Sequence, residues 1–552
     1  MIQFSNSLMI KIATIFLLAV IFLLPFFSAQ NFSPASDEVT HLPSGYSYWK
    51  TGQITLNPQH PPFVKLIASF PLLFMDLKFD SQDPDLSGPF KNEWTFGKKF
   101  LISNDADRLL FWGRLPVMLL SVLLGLFIYK WASEMFSPKA GLLSLFLYAF
   151  MPNIIAHAQF VTTDLALASF SFIAFYYLWK FFKTNFNKHL IYSGLFLGLA
   201  LSSKFSAVLF LPVVLFLIFI YAKSGRSDFN LVISRFIKIT ATMIAPAFLV
   251  VYFSYLMPAD LGFYLRGMST VYADSNSNYN FYLNGQFSPD GWRYYFLEAF
   301  LIKTPIPALI AFAAALIFWK KININNRDKL FIFLPLVSFS IATSLKAHDI
   351  GVRYLLPAFP FLILYTGGLS KIIENCLPAG EAGKLKTTER SRAVAYMAIE
   401  NSRIKIKVGI ILIFVLAGWY VFSAISIYPD YIAYFNEFVG GPANGYKYLD
   451  DSNLEWRHDL KRLAEYQKKY SDTKMINSDF NIFFDPKYYG IKNIIPSTEK
   501  SVLNPSGKYA INIHFLIRLK ELSRKLNDKN LDWLSLYQPI DRIGYSFWIY
   551  EF

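Results

Sequence analysis

Long apolar runs, each closed by charged residues, glycine or proline, recur through the first three quarters of the chain. They span Leu8–Phe27, Leu109–Tyr129, Ala140–Ile155, Leu165–Trp179, Leu190–Leu201, Phe205–Tyr221, Ile239–Leu256, Phe296–Trp319, Leu330–Leu345, Tyr354–Leu369 and Val408–Ile427. Runs of this length cross, or nearly cross, a hydrocarbon core, so the pattern predicts about eleven membrane helices. Ser202-Ser203-Lys204 parts two of the runs so narrowly that a broken helix is the alternative to two separate spans. A shorter run, Phe63–Leu73, is interrupted by Lys65 and Pro71 and reads as an interfacial or protein-packed helix. The pattern changes at Tyr428. Alternation predicts strands at Tyr509–Leu516 and Tyr545–Glu551, and helical spacing marks Leu460–Lys469. The expected architecture is a mainly α, polytopic membrane domain over residues 1–427, with interfacial helices in its first external loop. A small α/β domain over 428–552 completes it.

Composition agrees with a lipid environment. Of 552 residues 54% are hydrophobic and 16% charged, against about a quarter charged in soluble domains. The 56 Phe, 33 Tyr and 11 Trp suit apolar helices with aromatic belts at the interfaces. The formal charge of +15 belongs to loops, not to a nucleic-acid-reading module, so nucleic acid is excluded as a partner. With the N-terminus in the cytoplasm, the basic segments Lys130–Lys139, Lys180–His189, Lys223–Lys238, Lys320–Lys329 and Lys371–Lys407 all fall on the inner side. The loops Ser28–Arg108, Ala156–Asp164, Ser202–Lys204, Met257–Tyr295 and Lys346–Arg353 and the tail then lie outside. The single cysteine, Cys376, excludes an internal disulfide and a thiolate metal cluster. Leu8–Phe27 is long and apolar for a cleaved signal and reads as a retained anchor.

Asp37 and Glu38 follow the first apolar run closely, where a carboxylate is costly unless paired or hydrated. Taken alone, the pair reads as a solvated loop charge. Its company argues otherwise, because His41, Tyr46, Tyr48, Asn57, His60 and Lys65 share the loop and offer imidazoles, hydroxyls and a cation.

The stretch from Asp37 to Leu66, DEVTHLPSGYSYWKTGQITLNPQHPPFVKL, resembles the first external loop of protein O-mannosyltransferase-like glycosyltransferases of the GT-C superfamily, the group of glycosyltransferase family 39 and ArnT-like enzymes. Further segments fit the same pattern in order. They are Gly113-Arg114-Leu115-Pro116, Ala156-His157-Ala158, Thr162-Thr163-Asp164-Leu165, Lys303-Thr304-Pro305, Arg353-Tyr354-Leu355-Leu356-Pro357, Pro429-Asp430-Tyr431 with Phe435-Asn436-Glu437, and Asp451-Ser452-Asn453-Leu454. The chain departs afterwards, reading Glu455-Trp456-Arg457-His458-Asp459-Leu460 where Asp-Trp-Gly-Gln-Asp-Leu is typical.

The resemblance implies a GT-C fold and inverting transfer of mannose or a related sugar from a polyprenyl-phosphate donor. The acceptor is a hydroxyl of a protein, lipid or glycan, and the enzyme class is a hexosyl- or pentosyltransferase. An acceptor hydroxyl needs a base within hydrogen-bond reach, and the resemblance assigns that role to Asp37, with Glu38 orienting the acceptor or helping to hold a metal. The departing lipid phosphate needs preplaced cations: Arg353 first, whose guanidinium grips two oxygens, then Lys65, Lys303 and His348. His60, Asp164 and Tyr46 are the expected substrate contacts. Read without the family, Arg353 is equally an interfacial anchor and Asp164 the N-cap of the helix it precedes. A divalent metal is the one cofactor considered, with Asp37, Glu38, His60, Asp164 and His348 as candidate ligands, and no His spacing on one helix supports it. The competing class is a transporter or flippase of lipid-linked sugar, which usually shows repeated halves; no internal repeat is visible here.

Overall fold

The computed structural model describes residues 6–88, 91–223, 228–274, 279–322, 324–346, 348–376, 389–477, 484–497 and 502–552. The basic segment expected at Lys371–Lys407 therefore lies partly outside the described residues. The N-terminal half runs α1 (Asn6–Ala29), α2 (Ser36–Thr51), α3 (Phe63–Ser69), α4 (Pro84–Ser87), α5 (Glu93–Ser103) and α6 (Ala106–Met135). It continues with α7 (Pro138–Ala149), α8 (Pro152–Ala158), α9 (Asp164–Thr184), α10 (Asn187–Leu201), α11 (Leu211–Ala222) and α12 (Phe229–Ser254). Then come α13 (Phe263–Asp274), α14 (Tyr295–Lys303), α15 (Ile306–Ile317), α16 (Asn326–Lys346), α17 (Phe359–Gly367), α18 (Leu369–Cys376) and α19 (Glu389–Ser426).

Among the described residues, eight helices are long and apolar enough to cross a membrane, or up to ten if two bent pairs each count as one span. The chain is a multi-pass membrane protein with eight to ten candidate spans, fewer than the eleven apolar runs suggest. The runs Ala140–Ile155 and Phe296–Trp319 are broken helices, α7–α8 bent by 67° and α14–α15 by 116°. Hydropathy passes over both breaks, yet Pro152 restarts a helix at its first position and Pro305 holds an extended conformation before the next. The run Leu190–Leu201 is α10, whose 15 residues reach only ~22 Å at 1.5 Å per residue. It packs between α9 and α12. A Cβ on Gly194 would stand 2.1 Å from the Met243 carbonyl oxygen, so only glycine lets α10 lie this close to α12.

The segment between α1 and α6 folds onto the membrane domain as the four helices α2–α5. α2 is buried along most of its length and packs against α3 with backbones nearly touching, since a Cβ on Gly45 would meet the Lys65 carbonyl oxygen at 2.0 Å. The apolar run Phe63–Leu73 becomes α3 and a 3-10 turn at Phe70–Phe74, with Phe70 and Phe74 exposed as an interfacial helix requires.

After α19 the chain crosses the end of the bundle in short 3-10 turns over 431–453, then enters a small α/β unit. Its strands are β3 (Lys474–Asn477), β4 (Ile494–Pro496), β5 (Lys508–Asn512), β6 (Asp541–Ile543) and β7 (Phe547–Glu551), in the order β4-β3-β5-β7-β6. The left side is parallel and the right antiparallel. The hairpin β1 (Phe281–Leu283) and β2 (Gln286–Ser288) lies in the segment before α14. α20 (Leu460–Lys469) forms over the residues expected. The strand expected at Tyr509–Leu516 stops at Asn512, whose side chain accepts from the His514 N–H and so starts α21 (Ile513–Leu526). The turns at 431–456 pack into the core at the bundle end: Tyr431, Asn436, Asn453 and Trp456 are all buried.

Candidate active site

Asp37 stands in the first turn of α2. Its Oδ2 accepts from Arg353 at 2.8 Å, and its side chain is 24% exposed. Arg353 lies in the 3-10 turn that opens the span beginning at Val352. The same guanidinium nitrogen is 3.8 Å from Asp164 at the start of α9. Asp164 pairs in turn with Lys204 at 2.5 Å. Two carboxylates and two cations thus alternate across one end of the bundle, drawn from four separate segments. Tyr354 lies beneath both cations, with Lys204 Nζ 4.3 Å and the Arg353 guanidinium carbon 5.4 Å from its ring centre. Trp456 covers the guanidinium from the other face at 4.3 Å.

Burial raises the Asp37 carboxyl, but the charge and hydrogen bond of Arg353, with the charge of Lys204, outweigh it and hold the group below the usual carboxylate range. Asp37 is therefore ionised at neutral pH. His41 shares a hydrogen bond with the Val161 carbonyl through Nδ1 at 3.0 Å and meets His60 edge to face at 5.0 Å. The carbonyl can only accept, so Nδ1 carries the proton. Burial lowers both imidazoles, so they are neutral beside the carboxylate.

Arg353 is held by a relay of hydrogen bonds. Its neighbour Val352 donates its N–H to Asn453 Oδ1 at 2.9 Å, and Ser452 donates to the Ile350 carbonyl at 2.7 Å. Asn453 Nδ2 donates to Tyr295 at 2.7 Å, while Lys303 donates to the Asn453 carbonyl at 2.5 Å and the Ile432 carbonyl at 2.6 Å. The guanidinium Nε has no partner among the protein atoms. The residues ahead of α2 are pinned similarly, with Ser36 N–H donating to the Trp456 carbonyl and Ser33 N–H to the His458 carbonyl.

Asp37, Arg353 and Asp164 are brought together as expected. Other expected roles need correction. Glu38 is fully buried and forms a fork with Arg114, at 2.8 Å from Nε and 2.6 Å from a terminal nitrogen, while accepting from the Val161 and Ala35 N–H groups at 3.0 Å each. Both its oxygens are held by these donors, and it ties α2 to α6 and the 161 loop. Lys65 is buried against Tyr48, the Asn57 carbonyl and side chain, and the His60 carbonyl, and so braces the first loop without facing the cluster. Lys303 is likewise spent on backbone carbonyls. Tyr46 is packed between Phe79 and Phe100. His348 contacts the Phe281 ring, and His60 packs edge to face on His41.

Two site residues carried no expected role. Lys204 was visible as a lysine in a tight turn between apolar runs, which must find an anion or water. Trp456 is a position that keeps the typical residue inside an otherwise divergent segment, and the fold places it on Arg353. No group of three His, Cys, Asp or Glu side chains converges to hold a metal ion among the described residues. With Glu38 committed to Arg114, the candidate ligands Asp37, Glu38, His60 and Asp164 do not fit a divalent ion.

Residues 102–253 match the family model described as dolichyl-phosphate-mannose-protein mannosyltransferase. No curated protein matches the chain. Among solved structures, the Archaeoglobus fulgidus oligosaccharyltransferase in its apo form is similar at TM-score 0.51 and 12% identity, covering 94% of this chain and 71% of that one. ArnT from Cupriavidus metallidurans bound to undecaprenyl phosphate gives 0.49 and 12%, covering 97% of both chains. The S. cerevisiae protein O-mannosyltransferase Pmt1-Pmt2 complex bound to the sugar donor gives 0.35 and 16%, covering 48% and 35%. The chain has the fold of the archaeal enzyme, and the family-model match agrees with the resemblance to GT-C glycosyltransferases read from its motifs.

Proposed function

We propose that this chain is an inverting glycosyltransferase that moves mannose or a related sugar from a polyprenyl-phosphate donor to an acceptor hydroxyl, on the non-cytoplasmic face of the membrane. The observation that carries the reading is the alternating cluster Asp37–Arg353–Asp164–Lys204, partly open at Asp37 and Lys204 and buried at Arg353 and Asp164. An ionised, partly exposed carboxylate beside a guanidinium suits a base paired with a phosphate grip. The acceptor hydroxyl attacks the anomeric carbon and gives its proton to Asp37. The bond from that carbon to the phosphate oxygen breaks, and polyprenyl phosphate leaves with the bonding pair. Arg353 and Lys204 offset the charge growing on the phosphate. Asp164 keeps the two cations side by side.

An apolar groove supports the donor assignment. About 320 Å³ in volume, it is walled by α14, α16 and the segment 355–362 just after Arg353, with Phe300, Ile341 and Phe359 among its lining residues. A prenyl tail laid there would bring its phosphate toward the guanidinium.

The test uses purified full-length protein, its Asp37→Asn form and a labelled polyprenyl-phosphate sugar. Transfer by the wild type and its loss in Asp37→Asn, with an unchanged unfolding temperature, are expected. Equal transfer by both forms would remove Asp37 as base. Substrate uptake into proteoliposomes without transfer would replace the reading with transport.

A further inference from the structure

Trp456 comes from the tail and reaches the Asp37–Arg353 pair with two different parts of itself. Its indole ring lies on the Arg353 guanidinium at 4.3 Å. Its backbone carbonyl accepts from the Ser36 N–H at 3.1 Å, one residue before Asp37 at the start of α2. A single residue thus touches both the cation and the element that carries the carboxylate.

The residue is itself held firmly. The ring is buried, with His157 of α8 edge-on at 5.6 Å and Phe160 at 6.0 Å. The Trp456 N–H donates to His458 Nδ1 at 3.1 Å, the His458 carbonyl accepts from the Ser33 N–H at 2.8 Å, and the Leu460 N–H donates to Ser33 Oγ at 3.2 Å. Arg462 then bridges Asp459 to Asp430, just after α19. Directly after Trp456 the chain turns sharply, with Arg457 at φ 62°. Non-glycine residues seldom adopt this left-handed conformation, and it persists where the surroundings over-determine it.

A guanidinium over an aromatic face is attracted to the ring and keeps its N–H groups for oxygen partners at its rim. Arg353 spends one terminal nitrogen on Asp37 and Asp164, and its Nε has no partner among the protein atoms. Holding the long side chain in place beforehand removes an ordering cost from phosphate binding.

We propose that Trp456 is a positioning residue for sugar transfer, its ring fixing the Arg353 guanidinium for the donor phosphate and its carbonyl fixing the start of α2 and with it Asp37. The role rests on the sugar-transfer reading and deepens it, since it makes the tail a working part of the active site.

The experiment measures the affinity of full-length protein in detergent for undecaprenyl phosphate and for undecaprenol, which lacks the phosphate, and then transfer from a labelled polyprenyl-phosphate sugar. Trp456→Leu keeps an apolar side chain without an aromatic face. It should weaken undecaprenyl phosphate about tenfold, the size of a buried cation–π contact, and leave undecaprenol unchanged. Trp456→Phe should bring the phosphate preference back to within about threefold of the wild type. Ser36→Pro removes the N–H that reaches the Trp456 carbonyl and leaves the ring alone. Proline suits a first helical position, and Ala35 before it is already extended at ψ 157°, so this variant should fold even if Trp456→Leu does not. It should keep both affinities and slow transfer about tenfold, as a slightly displaced base does. A merely structural Trp456 would lower the unfolding temperature of Trp456→Leu and leave the phosphate preference of the folded protein intact. That result, a Phe variant no better than Leu, or wild-type transfer in Ser36→Pro would each overturn the proposal. Loss of the phosphate preference in Arg353→Gln but not in Trp456→Leu would remove this role and leave the parent reading standing. A wild type that binds undecaprenol as tightly as its phosphate would overturn both.

Discussion

Replacing Glu38 by Gln separates two roles that adjacent carboxylates invite. Glu38 receives four hydrogen bonds in a fully buried setting, two from Arg114 and one each from the Ala35 and Val161 N–H groups. Gln keeps one oxygen and turns the other into an NH₂ group that faces donors. One Arg114 nitrogen and one backbone N–H then lose their acceptor, each at about 1–3 kcal/mol for a buried donor left unsatisfied. Arg114 also becomes an uncompensated buried charge, and breaking such a pair costs about 3–5 kcal/mol. The two routes agree in size. For a cooperative unit of ordinary domain size this lowers the unfolding temperature on the order of 10 °C. The assay is thermal unfolding of full-length protein in detergent, beside Asp37→Asn, which touches one exposed-side ion pair and should shift little. An unchanged unfolding temperature in Glu38→Gln, with turnover lost in properly folded protein, would refute the structural role and return Glu38 to the substrate.

Arg353→Gln removes the leading charge that holds Asp37 low, so the acid limb of kcat/KM should move to higher pH as well as donor KM rising; an unmoved limb would uncouple the pair. Folding follows the same sign. A carboxyl whose pKa is lowered in the folded state adds stability above its unfolded value of about 3.9, lost as pH falls through the folded value. Acid unfolding should therefore show a smaller loss between neutral pH and pH 3 in Asp37→Asn than in the wild type. Lys303→Met breaks the bonds to Asn453 and Ile432 and should raise donor KM through Arg353 without moving the acid limb, as a group acting at a distance would; an altered limb would place Lys303 in the reaction itself. Ser344→Trp narrows the apolar groove and should raise KM for a long-chain donor while sparing a short-chain one, and equal effects on both would remove the groove from donor binding.

Apolar run length and charge placement were enough to determine a multi-pass membrane chain, because burying backbone in lipid leaves only helices. Local patterning also placed α20 and the short apolar helix after Pro62, and the ordered motifs named the glycosyltransferase fold. Sequence could not reveal that Pro152 and Pro305 bend two apolar runs, because hydropathy measures composition and carries no direction. Nor could it tell Asp37 from Glu38. Both lie in the first turn of α2, and the helix rotates one toward Arg353 and the other toward Arg114. Lys65, Lys303 and Arg353 read alike along the chain as cations near lipid. The tertiary fold turned the first two onto backbone carbonyls and left Arg353 with an unpaired Nε at a partly open carboxylate. Lys204 and Trp456 joined the site for the same reason: a cluster assembled from segments hundreds of residues apart exists only once the bundle has closed.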